Sequence, residues 1–326
     1  MKARKTLHVA YACDSHYVGQ TMVSMASLLE HHTKQDIILH LVEDQIGQPD
    51  IDRITRLAGR YGTRLLVSPL HGLLGELPHG LFMEGDGRHP MSIYAKLFLD
   101  QVCSAERVLY LDSDTIVSRS LLPLWEMDFG SACAAGVQMP YSPKVKALLG
   151  MKPQDCYVCD GILMIHLRNW RKRRCRERCV DYIRRRHGDI PMQSEGVINH
   201  VLRGRIQVLP PAYNLMSSML LWDGSQMERL YGATDYYSDD EIRKARAHPV
   251  IIHYLDELYV RPWYVGSDHP YRAYYDRYAR MAGISGKRIR PMGGWRGIRT
   301  RAVRVLDACL PFAVFCRIYR MVKGMR

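Results

Sequence analysis

The amino-acid sequence predicts an α/β protein with a Rossmann-like, mixed central sheet, followed by a basic helical C-terminal tail. Three observations carry that prediction. Apolar runs of strand length alternate with helix-period segments through the first seventy residues, two carboxylates stand where a later apolar run stops, and cations crowd into the last forty residues. Alternating strands and helices need crossover connections, and crossovers make a parallel, doubly wound sheet.

Taken in order, LHVAYAC at 7–13 reads as a buried strand, and VGQTMVSMASLLEHH after it spaces Met22, Met25, Leu28 and Leu29 as one helix face. DIILHLVED is a second strand, IDRITRLAGRYG a helix closed by Gly62, and TRLLVSP a third strand. A loop rich in Gly and His, HGLLGELPHGLFMEGDGRHP, leads to the helix MSIYAKLFLDQVC and the strand VLYLD. Beyond residue 115 the alternation fades. ACAAGVQM and GILMIHL read as strands, WRKRRCRERCVDYIRRRHGD as a helix, SEGVINHVL as a short helix, IQVLPPAYN as strand and loop, and HPVIIHYL as a strand. No repeat or low-complexity linker divides the chain before about residue 275, so 1–275 reads as one catalytic domain and 276–326 as the tail.

With 326 residues the chain is long enough to bury a core. No run of eighteen apolar residues occurs, and MKARKTLHVAYACD passes straight into a strand, so neither a secretory signal nor a spanning helix is expected. Nine irregularly spaced cysteines read as reduced thiols of a cytoplasmic protein. Cys156 and Cys159, with Cys175 and Cys179, superficially suit zinc, but they lie in a strand approach and an Arg-crowded helix and are expected to be buried thiols. The net charge is +13, and residues 287–326 hold eleven Lys or Arg against Asp307, so the +10 of that stretch leaves only +3 for the rest. That distribution argues against nucleic acid as a partner. Trp295, Leu306, Leu310, Phe312, Phe315 and Tyr319 interleave with the tail's arginines, a composition suited to an anionic membrane surface, and Pro311 divides the tail into two helical pieces. The ten Arg or Lys between Arg168 and Arg186 read as a solvated face, with extension of that lipid-facing surface as the alternative.

In VLYLDSDTIV, strand alternation would project Asp112 and Asp114 from one face, where they repel unless a cation sits between them. Paired carboxylates select a hard divalent ion, Mn²⁺ or Mg²⁺. Three readings follow: a solvated turn, the nucleophile of a haloacid-dehalogenase-like phosphotransferase, or a metal-diphosphate clamp for a nucleotide sugar. His253 ends an apolar strand and offers a third ligand, and Arg261 in the loop after it offers a phosphate partner.

YACDSHY, SIYAKLFL before VLYLDSDTIV, GILMIHLRNW, EGVINHVLRGRIQVLPPAYNLM and IIHY followed by RPW occur in an order that resembles glycosyltransferase family 8 over about residues 7–275. The resemblance implies a GT-A-type fold and retaining transfer of a hexose, galactose or glucose, from a UDP-sugar to a saccharide or lipid-linked acceptor. It places such an enzyme in lipopolysaccharide or capsule assembly, peripheral on the inner face of the cytoplasmic membrane. It implies that Asp112, Asp114 and His253 hold Mn²⁺ (or Mg²⁺), that Asp14 meets the uracil edge and that Tyr17 stacks on its ring. Ala12, Lys96, Ser113, Gly161 and Arg261 complete the implied donor site. Two segments depart from the family pattern: Cys159, Asp160 and Gly161 stand for Asn-Ala-Gly, and Ser194, Glu195 and Gly196 for Asp-Gln-Asp. Glu195 replaces an amide near the reacting carbon, so Glu195, with Lys96, is expected to take part in the chemistry. A non-catalytic, membrane-bound carbohydrate-binding protein is the alternative those departures leave.

Overall fold

A computed structural model describes residues 6–77, 91–255, 258–284, 289 and 295–322. Seven strands form the main sheet in the order β3-β2-β1-β4-β7-β6-β8: β1 (Leu7–Asp14), β2 (Ile37–Asp44), β3 (Arg64–Pro69), β4 (Val108–Leu111), β6 (Ala134–Val137), β7 (Ile162–Ile165) and β8 (Ile206–Leu209). β3, β2, β1 and β4 run parallel; β7 is antiparallel to both β4 and β6. Both faces of β1 and β4 are covered, which explains why they read as continuous apolar runs rather than alternating ones. A second sheet, β5-β10-β9, contains β5 (Thr115–Val117), β9 (Leu215–Met216) and β10 (Ile251–His253).

Helix α1 (Val18–Glu30) is buried almost all round, and its hydroxyls serve as fasteners. Thr21 Oγ1 donates to Ser113 Oγ (2.7 Å), Ser24 Oγ pairs with Thr115 Oγ1 (2.9 Å), and Ser27 Oγ accepts from Val117 N–H (2.9 Å). Three residues at helical spacing thus meet alternate residues from Ser113 to Val117, and buried polar groups are satisfied by one another. Helix α2 (Gln48–Arg60) turns Ile54, Leu57 and Ala58 inward and stops where Gly62 takes φ +64°.

Several expectations are adjusted. Residues 91–103 form a 3₁₀ run, Met91–Phe98, and a single α turn, Leu99–Val102, instead of one α-helix. The predicted helix at 170–189 is two, Leu167–Lys172 and Cys175–Arg185, because Arg174 adopts φ +52° between them. Most of the Gly- and His-rich loop, 78–90, lies outside the described residues, as do 285–288 of the tail. Cys159, Cys175 and Cys179 are buried and Cys156 half-buried, as free thiols.

The tail does form two helices, α-helical segments Trp295–Cys309 and Phe312–Val322, parted at Pro311. Phe315 and Tyr319 do not face outward as the sequence suggested. They pack on Trp222, whose Nε1 donates to Asp307 Oδ1 (3.0 Å), so an acid of the tail satisfies an indole of the body. Among the described residues of these helices, Ile298, Val305, Leu306, Val314, Met321 and Val322 are large apolar side chains left exposed.

Candidate active site

The site lies at the carboxyl edge of the parallel strands, where α/β sheets bind ligands. β4 ends at Leu111, and the chain turns through 112–114 before entering β5 in the other sheet. Asp112 N–H donates to Gly161 O (2.8 Å), while Tyr254 N–H donates to Asp114 O (2.9 Å). The two acids are therefore anchored from two different sheets. This corrects the alternation argument: Asp112 and Asp114 converge because a turn changes sheets between them, not because one strand projects both.

His253 closes the cluster from β10, pairing in register with Thr115. Its Nε2 lies 3.1 Å from Asp114 Oδ1 and 4.0 Å from Asp112 Oδ2, and donor atoms of all three side chains lie within 4.8 Å of one another. Nδ1 donates to Asn214 Oδ1 (3.0 Å), which leaves Nε2 as the ligating nitrogen, the usual outer-shell device for a metal-binding histidine. Gly161 supplies the space. A Cβ there would stand 2.5 Å from His253 Cε1 and 2.6 Å from Asp112 Oδ2. Two carboxylates and one imidazole around a cradle that a methyl group would fill suit a hard-to-borderline divalent ion such as Mn²⁺ or Mg²⁺.

The two carboxylates have opposed electrostatics. Burial pushes Asp112 up, and Asp114 adds to this, outweighing Lys96 and His253. For Asp114 burial acts in the same direction but loses to His253 and Arg261, which hold it below the usual carboxylate range. Arg261 donates to Asp114 Oδ2 (3.0 Å), to Tyr17 Oη (2.9 Å) and to Tyr254 O (2.9 Å), bridging the acid pair to the end of β1.

Lys96, 2% exposed, arrives from the 3₁₀ run. Its Nζ donates to Asp160 O (3.0 Å), pairs with Asp160 Oδ2 (3.1 Å), lies 3.6 Å from Asp112 Oδ1 and sits 4.5 Å from the centre of the Tyr110 ring. Burial alone would discharge it, but Asp112 and Asp160 raise its pKa to about 12. Tyr110 Oη donates to Asp112 Oδ1 (2.8 Å).

The two segments that depart from the family pattern meet here. Ser194 Oγ donates to Asp160 Oδ2 (2.6 Å), and Glu195, half-buried on helix Gln193–Val201, has its carboxyl pushed up by burial and by Asp160. Asn199 on the same helix clasps Val158 through both its N–H and C=O (2.8 Å each), fixing the approach to Asp160 and Gly161. Gly196 is required by shape, since a Cβ there would overlap the Pro191 carbonyl oxygen. A segment carrying a side chain at that position could not pack this way.

At the end of β1, Asp14 Oδ1 accepts from His16 N–H (2.8 Å) and Tyr17 N–H (3.2 Å), so the side chain expected at the uracil edge also holds the turn into α1. Ser113 Oγ donates to Ala12 O (3.2 Å), binding the acid turn to that same strand end. All the residues anticipated from sequence thus gather around one edge of the sheet. Asp160, Ser194, Asn199, Asn214 and Thr21 were not singled out for these roles. The strongest available signal was that Asp160 and Ser194 both fell in atypical segments.

The mixed sheet with a carboxylate turn at its carboxyl edge defines a GT-A-type glycosyltransferase fold. It aligns with the solved structure of galactosyltransferase LgtC in complex with donor and acceptor sugar analogues, at TM-score 0.66, with 19% identity, over 85% of this chain and 95% of that one. It also aligns with GlyE of Streptococcus pneumoniae at TM-score 0.60 and 18% identity, over 98% of this chain and 64% of GlyE. Residues 8–264 match the model of glycosyl transferase family 8, and the chain belongs to that family. A curated relative, lipopolysaccharide 1,2-glucosyltransferase of Escherichia coli, is 24% identical over 269 residues, 80% of this chain and 74% of the relative.

Proposed function

We propose that the protein is a retaining, metal-dependent glycosyltransferase that moves galactose or glucose from a UDP-sugar to a saccharide or lipid-linked acceptor of cell-surface glycan assembly. The convergence of Asp112, Asp114 and His253 around the Gly161 cradle, within 4.8 Å, is the observation that supports this most directly. Those three side chains would hold Mn²⁺, which when bound supplies positive charge to a departing diphosphate. Lys96 and Arg261 add fixed cations on either side of the acid pair, preorganised by their carboxylate partners. Asp14, Tyr17, Ala12 and Ser113 shape the nucleotide end. The haloacid-dehalogenase alternative puts its D-x-D nucleophile on the first strand of its fold, whereas Asp112 here follows β4, the fourth strand of the chain. Incubation with UDP-glucose and UDP-galactose, with and without Mn²⁺, tests the reading. Metal-dependent UDP release from one of them, increased by an acceptor glycan, is expected; folded protein that turns over neither donor with any acceptor offered would support the non-catalytic alternative.

In this reading Glu195 takes part in the chemistry near the reacting carbon. With its carboxyl pushed up to about 8, it is largely protonated at neutral pH and gains charge as pH rises. The wild type should therefore show kcat/KM rising between pH 6.5 and 8.5, and Glu195→Gln should lose that limb and on the order of 10² in kcat. A Glu195→Gln profile superimposable on the wild type removes Glu195 from this role.

The docked tail leaves apolar side chains and arginines outward, which supports attachment to an anionic membrane surface on the cytoplasmic side. Among the described residues no helix is long and apolar enough to cross a membrane. Replacing Ile298, Val305 and Val322 by Ser should reduce retention on phosphatidylglycerol vesicles while donor hydrolysis persists. Unchanged retention would contradict the attachment model.

A further inference from the structure

Far from the carboxylate turn, a second cluster of ligating side chains sits on the sheet. His8 lies six residues before Asp14 on the same strand, roughly 20 Å away at the rise of a β-strand. Its even-numbered position puts it on the face of β1 shared by Ala10 and Ala12, away from α1. His40 projects beside it from β2, and Cys103 covers the pair from the end of the segment that carries Lys96. His8 Nδ1 is 3.0 Å from His40 Nε2 and 3.6 Å from Cys103 Sγ, and the three side chains present donor atoms within 4.8 Å of one another.

We propose that His8, His40 and Cys103 form a second metal site, taking Zn²⁺ through His8 Nδ1, His40 Nε2 and Cys103 Sγ, with solvent or a small anion as fourth ligand on the half-exposed His8 side. The spacing fits. Tetrahedral Zn²⁺ with nitrogens at about 2.05 Å and sulfur at about 2.3 Å separates two nitrogens by about 3.3 Å and a nitrogen from sulfur by about 3.6 Å. The first distance here is a few tenths of an ångström short and the second coincides. The donor set also fits, since two imidazoles and a thiolate favour zinc over the hard ions suited to Asp112 and Asp114.

Hydrogen bonding without a metal serves this cluster poorly. His40 Nε2 and the Cys103 thiol converge on the same atom, His8 Nδ1. In the zinc form His40 carries its proton on Nδ1, where the Val102 carbonyl already acts on the ring, and Nε2 is free to ligate. Burial, aided by Arg64, holds both imidazoles below the usual histidine range, so they are neutral as ligands must be. Cys103 is the costly partner: burial raises its thiol, opposed by the Ala105 backbone and Arg171, and zinc binding releases that proton. Basic surroundings favour an anion at the fourth position. The ion would be structural, pinning β1 and β2 to the segment that ends at Cys103 and so helping to set where Lys96 lies.

The test is a Co²⁺ titration of tag-free, metal-stripped full-length protein in excess Mg²⁺, which keeps the carboxylate site occupied. One equivalent should give the near-ultraviolet thiolate charge-transfer band and the visible bands of tetrahedral Co²⁺, both abolished by one equivalent of Zn²⁺. Cys103→Ser should remove the charge-transfer band. Affinity for Zn²⁺ should fall by more than the roughly 10–100-fold that loss of an outer-shell partner costs. His8→Gln, at a half-exposed position, provides an independent loss of affinity should Cys103→Ser fail to fold. Folded wild-type protein without the charge-transfer band, or a band of equal strength in Cys103→Ser, overturns the proposal. Neither outcome depends on the sugar donor, so failure here and failure of the transferase reading are separately visible.

Discussion

Gly161→Ala is expected to abolish turnover while leaving a folded protein. The added Cβ would enter the space between His253 and Asp112, and neither neighbour can retreat freely. His253 is 2% exposed and tied to Asn214, while the Asp112 backbone is bonded to Gly161 itself. Forcing them apart should cost about 1–3 kcal/mol of stability, the usual penalty for an extra methyl in a packed site. The effect on function is expected to be larger, because the displaced side chains are two of the three proposed metal ligands. A loss of at least about 10³ in kcat/KM, equivalent to about 4 kcal/mol, should accompany unchanged far-ultraviolet circular dichroism. Activity within threefold of wild type would mean that the cradle does not receive the donor's counter-ion.

Lys96→Met should be the most destabilising single change at this edge. The substitution keeps much of the side-chain volume but leaves Asp160 and Asp112 without their cation at 3.1 and 3.6 Å. Removing one partner of a buried ion pair costs about 3–5 kcal/mol, and chemical denaturation would read it directly. The pH dependence has a defined sign. Without Lys96 the Asp112 carboxyl, already pushed up by burial, rises further, and a group raised in the folded state contributes stability that fades as pH increases through its folded value. The variant's deficit should therefore shrink as pH is lowered from 8 toward 5. Adding Asp160→Ala to Lys96→Met should restore part of the loss, since it removes one of the two stranded charges; additive losses would show that the pair is not coupled.

The parallel half of the fold was legible because its strands and helices alternate with clear periods and Gly62 marks a helix end. The region after residue 115 was legible only as a series of elements. Its pairings, β7 antiparallel to β4 and β6, depend on contacts distant in sequence. The same limit applies at the site. Asp112, Asp114 and His253 announced themselves at the ends of apolar runs, yet their convergence relies on a turn between two sheets that strand periodicity cannot reveal. Asn214, which orients His253, sits in a Pro-rich approach with no distinguishing pattern. Asp160 was visible as a departure from a family pattern. Its partnership with Lys96 and Ser194, from segments far away in the chain, was not. The tail was misread at Phe315 and Tyr319 for a related reason: an amphipathic helix shows an apolar face without showing what covers it.

Calorimetric titration of UDP into the wild type and Asp114→Ala, each with and without Mn²⁺, tests the central claim most directly. If Asp112, Asp114 and His253 form a metal-diphosphate clamp, UDP binds the wild type much more tightly with Mn²⁺ than without it, and Asp114→Ala loses that enhancement. Binding of UDP that is indifferent to Mn²⁺ in the wild type, or equally enhanced in Asp114→Ala, would contradict it.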